Sequence, residues 1–415
     1  MVKTKNFEYY ILAAWLFVMM VLPDVPSTIK LGVMFLYILV TLFLHKKITV
    51  NKSMLQWALA WEVLFIFEHV YNWAIGNAFS FELFEIFLVR PVLLFIMASF
   101  FVRKDSFLIL FKIILFVTIC ILLYNIVFIM QSFGLIPVII REEKSLVIIS
   151  SSFLTIRSSN LTAQMFLTPF MVILSYKRKV FPPKMRKIIL LPAGILVVIS
   201  MLSGRRALQV ITLFSLFVIF TLFVIEREKI TVNGMLMFAG LVTVGVIAIV
   251  VVNNSLGYNL LDVIKLTILD SLDRKSFGRG VRDNQFIALS RSWIENPVLG
   301  SGISSYSQYY MSLSGGIYTS WSYELFYNAL LMQIGILGMG WLLFYLFKII
   351  KKMLIFYRCN KENEYGAIVI AVIMGLTGFL ICGVSNPMAT SSWMWFIVLS
   401  AFSFSSFNLD QKKFD

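Results

Sequence analysis

"SWSYELFYNALLMQIGILGMGWLLFYLF" (residues 320–347) decides what kind of molecule this chain makes. Beyond Glu324 the run is apolar and long enough, as α-helix, to cross about 30 Å of hydrocarbon, which takes roughly 20 residues. Yet a carboxylate stands at its mouth, directly after Tyr323. An acid there either anchors the helix start, where the dipole favours it by about 0.3 to 1 kcal/mol, or faces a protected space. The surrounding sequence has to separate the two.

Working outward, comparable runs recur along nearly the whole chain. The 415 residues are 60% hydrophobic and 14% charged, with a mean hydropathy of +0.88. A water-soluble fold of this length is not composed that way. Hydropathy places about twelve spans, near 8–23, 30–45, 54–71, 79–102, 106–132, 158–176, 187–203, 205–225, 232–252, 323–347, 366–384 and 392–408. The first follows Lys3 and Lys5 without a small-residue cleavage site and is expected to be retained rather than removed as a signal. The expected fold is an all-α polytopic membrane protein, one integral domain over 1–415.

Orientation follows from the basic residues, which stay in short cytoplasmic loops. "HKKITVNK" (45–52), "RKD" (103–105), "KRKVFPPKMRK" (177–187), "EREK" (226–229) and "KIIKKMLIFYRCNK" (348–361) all fall on one side. Both termini are therefore expected in the cytoplasm. The same clusters account for most of the net charge of +15. They describe a polybasic face toward anionic lipid, and no nucleic-acid partner is implied.

The other side carries a loop at 133–157 and a larger cap at 253–322, between the ninth and tenth spans. Loops of such length usually bind or react. Within the cap, "NLLDVIKLTILDSL" (259–272) has helical apolar spacing suited to a membrane surface. "RDNQFIALSRSWIENPVLGSG" (282–302) reads as an amphipathic helix stopped by Pro297, followed by Gly300 and Gly302 in a turn that lets backbone approach a ligand. Three separated cysteines and two histidines exclude a disulfide framework and zinc spacing, and no phosphate-binding G-x-x-x-x-G-K-[ST] loop is present. Paired acids suited to a divalent metal are missing from the outer loops, so no metal or cofactor is expected.

Arginine is what the outer side does have. Arg205 and Arg206 sit in the tight turn "SGRRALQ" (203–209), Arg157 in "TIRSSNLTAQ" (155–164), and Arg282 and Arg291 in the cap. Guanidinium forks match phosphate oxygens, and a membrane-facing cluster of them suits a lipid-linked phosphate or pyrophosphate. Arg90, in "FLVRPVLLF", is mid-span, where an arginine costs about 2.5 to 3.5 kcal/mol and is normally paired or lines a cavity. Glu62, Glu68, Glu82 or Glu85 could neutralise it; guiding a lipid pyrophosphate is its other reading. Tyr306, Tyr309, Tyr310, Trp321 and Tyr323 suit either sugar stacking or an interfacial aromatic belt.

These features together resemble the O-antigen polymerase and O-antigen ligase superfamily. The resemblance rests on the many spans, the late outer loop, an arginine after "SG" at a short turn, and Arg-x10-Gly from Arg291 to Gly302 through "NPVLGSG". The family's ligases also carry His, then Asn, Ser or Gln, nine positions, Gly, two positions and a small residue. Here that spacing falls on Glu324, Leu325, Gly335 and Gly338, with Glu in place of the histidine and Leu in place of the amide. Lacking the histidine, the chain resembles the polymerases more than the ligases.

The resemblance implies a glycosyltransferase C-like fold in the bacterial inner membrane with a periplasmic active site. It also implies transfer of a growing glycan from undecaprenyl pyrophosphate to a sugar hydroxyl of a new lipid-linked repeat unit. The product would be O-antigen or capsule, and a chain-length regulator is a partner implied in the same way. In that scheme Glu324 is the general base. Arg205, Arg206 and Arg282 stabilise the leaving pyrophosphate, with Arg157 and Arg291 holding a second lipid phosphate or the loop. An O-antigen ligase with a changed base and a flippase for lipid-linked oligosaccharides remain as alternatives.

Overall fold

The computed structural model describes residues 7–45, 50–132, 134–140, 146–150, 153–203, 205–225, 279–310, 323–386 and 393–411. Apart from one hairpin, the ordered elements are helices. They are α1 Phe7–Met20, α2 Ser27–His45, α3 Lys52–Ala74, α4 Phe81–Phe84, a π-turn at Glu85–Val89, α5 Arg90–Ser99 and α6 Lys104–Ser132. After the hairpin β1 Leu146–Ser150 and β2 Phe153–Arg157 come α7 Leu161–Tyr176, α8 Pro183–Leu202, α9 Arg206–Ile225, α10 Arg279–Glu295, α11 Phe326–Cys359, α12 Glu364–Cys382 and α13 Trp395–Gln411. Every expected span within the described residues is helical; most ends shift by a few positions, but the span expected to stop at 347 runs on as helix to Cys359. The expected span at 232–252, the amphipathic stretch 259–272 and Trp321 lie outside the described residues.

Among the described helices, four are long and apolar enough to cross a membrane: α2, α6, α11 and α12. Helix is the form such runs must take, because hydrocarbon offers no partner for an open backbone amide. Their starts are marked by side chains that take the first amides. Asn51 accepts from Ser53 N at 2.9 Å ahead of α3, and Asn363 accepts from Gly366 N at 3.0 Å ahead of α12.

The π-turn has a local cause. Pro91 has no amide hydrogen and its ring crowds the carbonyl four residues earlier, so the ladder widens and Phe87 O is released. Trp61 Nε1 donates to that oxygen at 2.8 Å, tying α3 to the bend.

α7 and α12 form the centre of the bundle, with nearly every residue of α7 buried. Their close approach depends on small residues: a Cβ on Gly375 would fall 2.8 Å from the Phe166 ring, and one on Gly378 would fall 2.6 Å from Pro169 Cγ. Around this centre the usual pattern of a soluble protein is reversed. Phe35, Phe43, Leu59, Val63, Ile336 and Leu343 are exposed, while Thr168, Ser200, Ser403 and Gln164 are buried. An apolar outer band of this kind suits a lipid surround.

The hairpin corrects the expectation of a plain loop at 133–157. β1 and β2 pair antiparallel with Leu146 opposite Arg157 and Ser150 opposite Phe153. Below it, buried Asn160 accepts on Oδ1 from Asn125 Nδ2 at 3.1 Å, Ser158 Oγ at 2.8 Å and Gln164 Nε2 at 2.9 Å. This network locks the start of α7 against α6, immediately after Arg157.

Candidate active site at the cap end of the bundle

α11 holds the site, and its departure from ideal geometry explains how. At Gly335 the backbone leaves the helical region, with φ 63° and ψ −171°. The loop after α10 fits into that break, with Gly300 at φ 77°. Ser301 N donates to Met332 O at 2.8 Å, Gly302 N to Gln333 O at 2.9 Å, Ile336 N to Pro297 O at 3.0 Å and Leu337 N to Val298 O at 3.2 Å. The groups in close approach belong to the chain itself: the Gln333 and Gly335 backbone at Gly300, and the Asn72 and Asn77 side chains at Gly302. α3 and the turn after it complete the joint: Tyr71 hydroxyl donates to Gly300 O at 3.2 Å, Asn77 Nδ2 to Ser301 O at 2.7 Å, and Ser304 N to Asn72 Oδ1 at 3.1 Å.

On this base stands a small cap core. One face of α10 buries Gln285, Ala288, Leu289 and Ser292, at the spacing of a helix stripe. Tyr310 and Tyr323 pack with it, their rings edge to face with each other at 6.2 Å, and Tyr323 hydroxyl accepts Ser307 N–H at 2.8 Å. At 6% and 1% exposure these two rings have no face open to a sugar. As stacking candidates they are corrected to packing residues, because the cap needs them as its core. Tyr306 and Tyr309 are about half exposed and keep an open surface.

Glu324 precedes α11 rather than entering its first turn. Leu325 occupies the cap position, with no side-chain cap bond, so the dipole-anchor reading of Glu324 does not describe its geometry. Instead Arg282 Nε donates to Glu324 Oε2 at 2.6 Å. The two side chains are 51% and 42% exposed, so the pair faces an open volume. Among the described residues no other hydrogen bond engages the remaining guanidinium nitrogens of Arg282. Gln285, which the sequence reading passed over, accepts on Oε1 from Glu324 N at 3.1 Å and Leu325 N at 3.4 Å. Its signal was available: it is the polar residue opening the otherwise small and apolar stripe of α10.

Arg205 reaches the same end of the bundle from elsewhere. Its Nη1 donates to Asn386 Oδ1 at 3.4 Å, just past α12, while Tyr327 hydroxyl of α11 donates to Leu380 O at 2.6 Å on the last turn of α12. Arg206 opens α9 beside it, and Arg157 closes β2 just before α7, whose first turns lie along the end of α12.

Two expected members are elsewhere. Arg291 lies nine residues along α10 from Arg282, about 180° around the helix at 3.6 residues per turn. Its guanidinium carbon sits 6.0 Å from the Tyr309 ring centre, so it braces the far edge of the cap instead of facing Glu324. Arg90 is inside the bundle, 5% exposed. Its Nε and Nη2 lie 2.9 and 2.8 Å from Glu85 Oε1, and its guanidinium carbon is 4.5 Å from the Trp393 ring centre. Of the four acids considered for it, Glu85 is the partner, brought into register by the π-turn.

Beneath the site lies an apolar cavity of about 110 Å³ between α3, α5, α11, α12 and α13. Its lining includes Trp61, Phe87, Leu330 and Trp395, and it reaches Phe326 and Tyr327, immediately beyond Glu324 and Leu325. Among the described residues no group of three His, Cys, Asp or Glu side chains is placed to hold a metal ion. The arrangement offers a carboxylate for proton transfer, guanidiniums for an anion and an apolar space for a chain. In comparisons with known proteins, the sequence matches no family model and no curated protein.

Proposed function

We propose that this chain is a membrane glycosyltransferase that polymerises polysaccharide repeat units, O-antigen or capsule, at the periplasmic face of a bacterial inner membrane. The observation that carries the reading is the half-exposed Glu324–Arg282 pair standing over an apolar cavity. A carboxylate and a phosphate-matching guanidinium precede α11, whose first turn, Phe326 and Tyr327, lines an apolar cavity, an arrangement that suits an amphiphile with an anionic head.

In the reaction, a sugar hydroxyl of the acceptor, a lipid-linked repeat unit, attacks the anomeric carbon of the donor glycan. Its proton passes to the Glu324 carboxylate as the carbon–oxygen bond forms. The bond from that carbon to pyrophosphate breaks, and the electron pair leaves with undecaprenyl pyrophosphate. Arg282, Arg205 and Arg206 stabilise the charge gathering on the leaving group, and Arg157 holds a second lipid phosphate. A single displacement of this kind inverts the anomeric centre. Tyr306 and Tyr309 offer the aromatic surface for sugar rings.

The test is extension of purified lipid-linked repeat units in detergent, with chelator present. Wild type should yield ladders, and Glu324→Gln and Arg205→Ala should yield none. Ladders from Glu324→Gln would remove the base assignment. Single transfer to a lipid A core acceptor without ladders would point to a ligase.

A further inference from the structure

α10 brings two side chains to Glu324, and they differ in kind. Arg282 holds the carboxylate from an exposed position. Gln285, one turn on, is wholly buried at 0% exposure and holds the backbone. Its Oε1 takes the amides of Glu324 and Leu325, and its Nε2 lies 3.5 Å from the Tyr310 hydroxyl. Leu325, at the cap position of α11, has no side-chain oxygen to offer, so an oxygen from another helix serves the segment entering it.

We infer that Gln285 is a positioning residue: it keeps the Glu324 backbone in register with α10, so that the carboxylate stays aimed when Arg282 turns to substrate phosphate. This rests on the polymerase reading. The Arg282–Glu324 contact is open to water and therefore weak, and a pyrophosphate competes for the guanidinium with several oxygens at once. Once Arg282 has moved, only the backbone fixes the acid. The Gln285 bonds survive that exchange because Gln285 itself is buried and the bonds involve no charge.

The experiment uses the full-length protein in detergent and compares wild type, Gln285→Ala, Gln285→Glu and the exposed neighbour Asn284→Ala. Amide exchange at 323–325 should speed up about tenfold in Gln285→Ala. With lipid-linked repeat units, kcat should fall about 100-fold while KM stays unchanged, because the acid is misplaced and the substrate still binds. Gln285→Glu keeps an acceptor oxygen and should recover exchange protection and part of kcat; Asn284→Ala should match wild type. Unchanged exchange in Gln285→Ala overturns the proposal, as does a loss that appears in KM alone or tracks the fraction of folded protein. Full ladders from Glu324→Gln, with exchange still dependent on Gln285, would instead sink the base assignment and leave the backbone clamp standing.

Discussion

Gly335→Ala tests whether the cap and α11 are one piece. At φ 63° and ψ −171° the position lies in a region that alanine occupies at a cost of about 1 to 3 kcal/mol. Its new Cβ would fall 2.3 Å from Val298 O and 2.5 Å from Gly300 N, both backbone atoms that cannot rotate aside. The loop would have to lift, giving up its four backbone hydrogen bonds to α11 at about 0.5 to 1.5 kcal/mol each. Together these cost about 3 to 9 kcal/mol. The loss is expected to be centred on the loop and on the few residues its Ile303 packs against. Hydrogen exchange over 297–305 should therefore accelerate by about a hundredfold or more, with helices remote from the joint unchanged. Gly340→Ala is the internal control: same helix, same substitution, nothing within 4 Å of the new Cβ, and an expected gain of about 0.5 to 1 kcal/mol. Wild-type protection of the loop in Gly335→Ala, or equal disruption by Gly340→Ala, would refute the interlock.

Glu85→Gln removes the carboxylate from a buried guanidinium and should lower stability by about 3 to 5 kcal/mol. A thermal melt in detergent reads this, and the apolar pair Arg90→Met with Glu85→Leu should recover most of it; a wild-type melt of Glu85→Gln would contradict the pairing. Tyr309 hydroxyl donates to Glu295, and that bond, with the charge of the carboxylate, raises the phenol above 10.0. The unfolded chain then gives up the proton first, so the contact contributes fully below pH about 10 and is lost as pH climbs through the raised folded value. Ultraviolet titration should show a late tyrosine in wild type that moves down in Glu295→Gln; an unmoved curve would rule the contact out.

Much of the helical layout is legible in the sequence, because the partition of apolar runs into hydrocarbon is a property of consecutive residues. Capping is local in the same way, and Asn51 and Asn363 announce the helices they start. The hairpin was also within reach: "LVIIS" and "FLTIR" are β-rich runs separated by Ser151 and Ser152. It was passed over because the whole of 133–157 was taken as one outer loop between spans.

Partnership is what the letters do not carry. Glu324 and Arg282 are 42 residues apart, and any of several arginines satisfied the same chemical expectation until folding set one of them against the acid. Arg291 shares helix α10 with Arg282 and differs only in angle about its axis, which periodicity alone does not relate to a neighbour. Gly300 was recognisable as a place where backbone comes close, but nothing local to it says that the break at Gly335 is its guest. Sequence alone established an apolar helical chain with a carboxylate at one helix mouth, because hydrophobicity and charge belong to single residues. Tertiary structure decided which cation meets that carboxylate and which backbone fills the break in α11, because hydrogen bonds and ion pairs depend on distances of a few ångströms between segments remote along the chain.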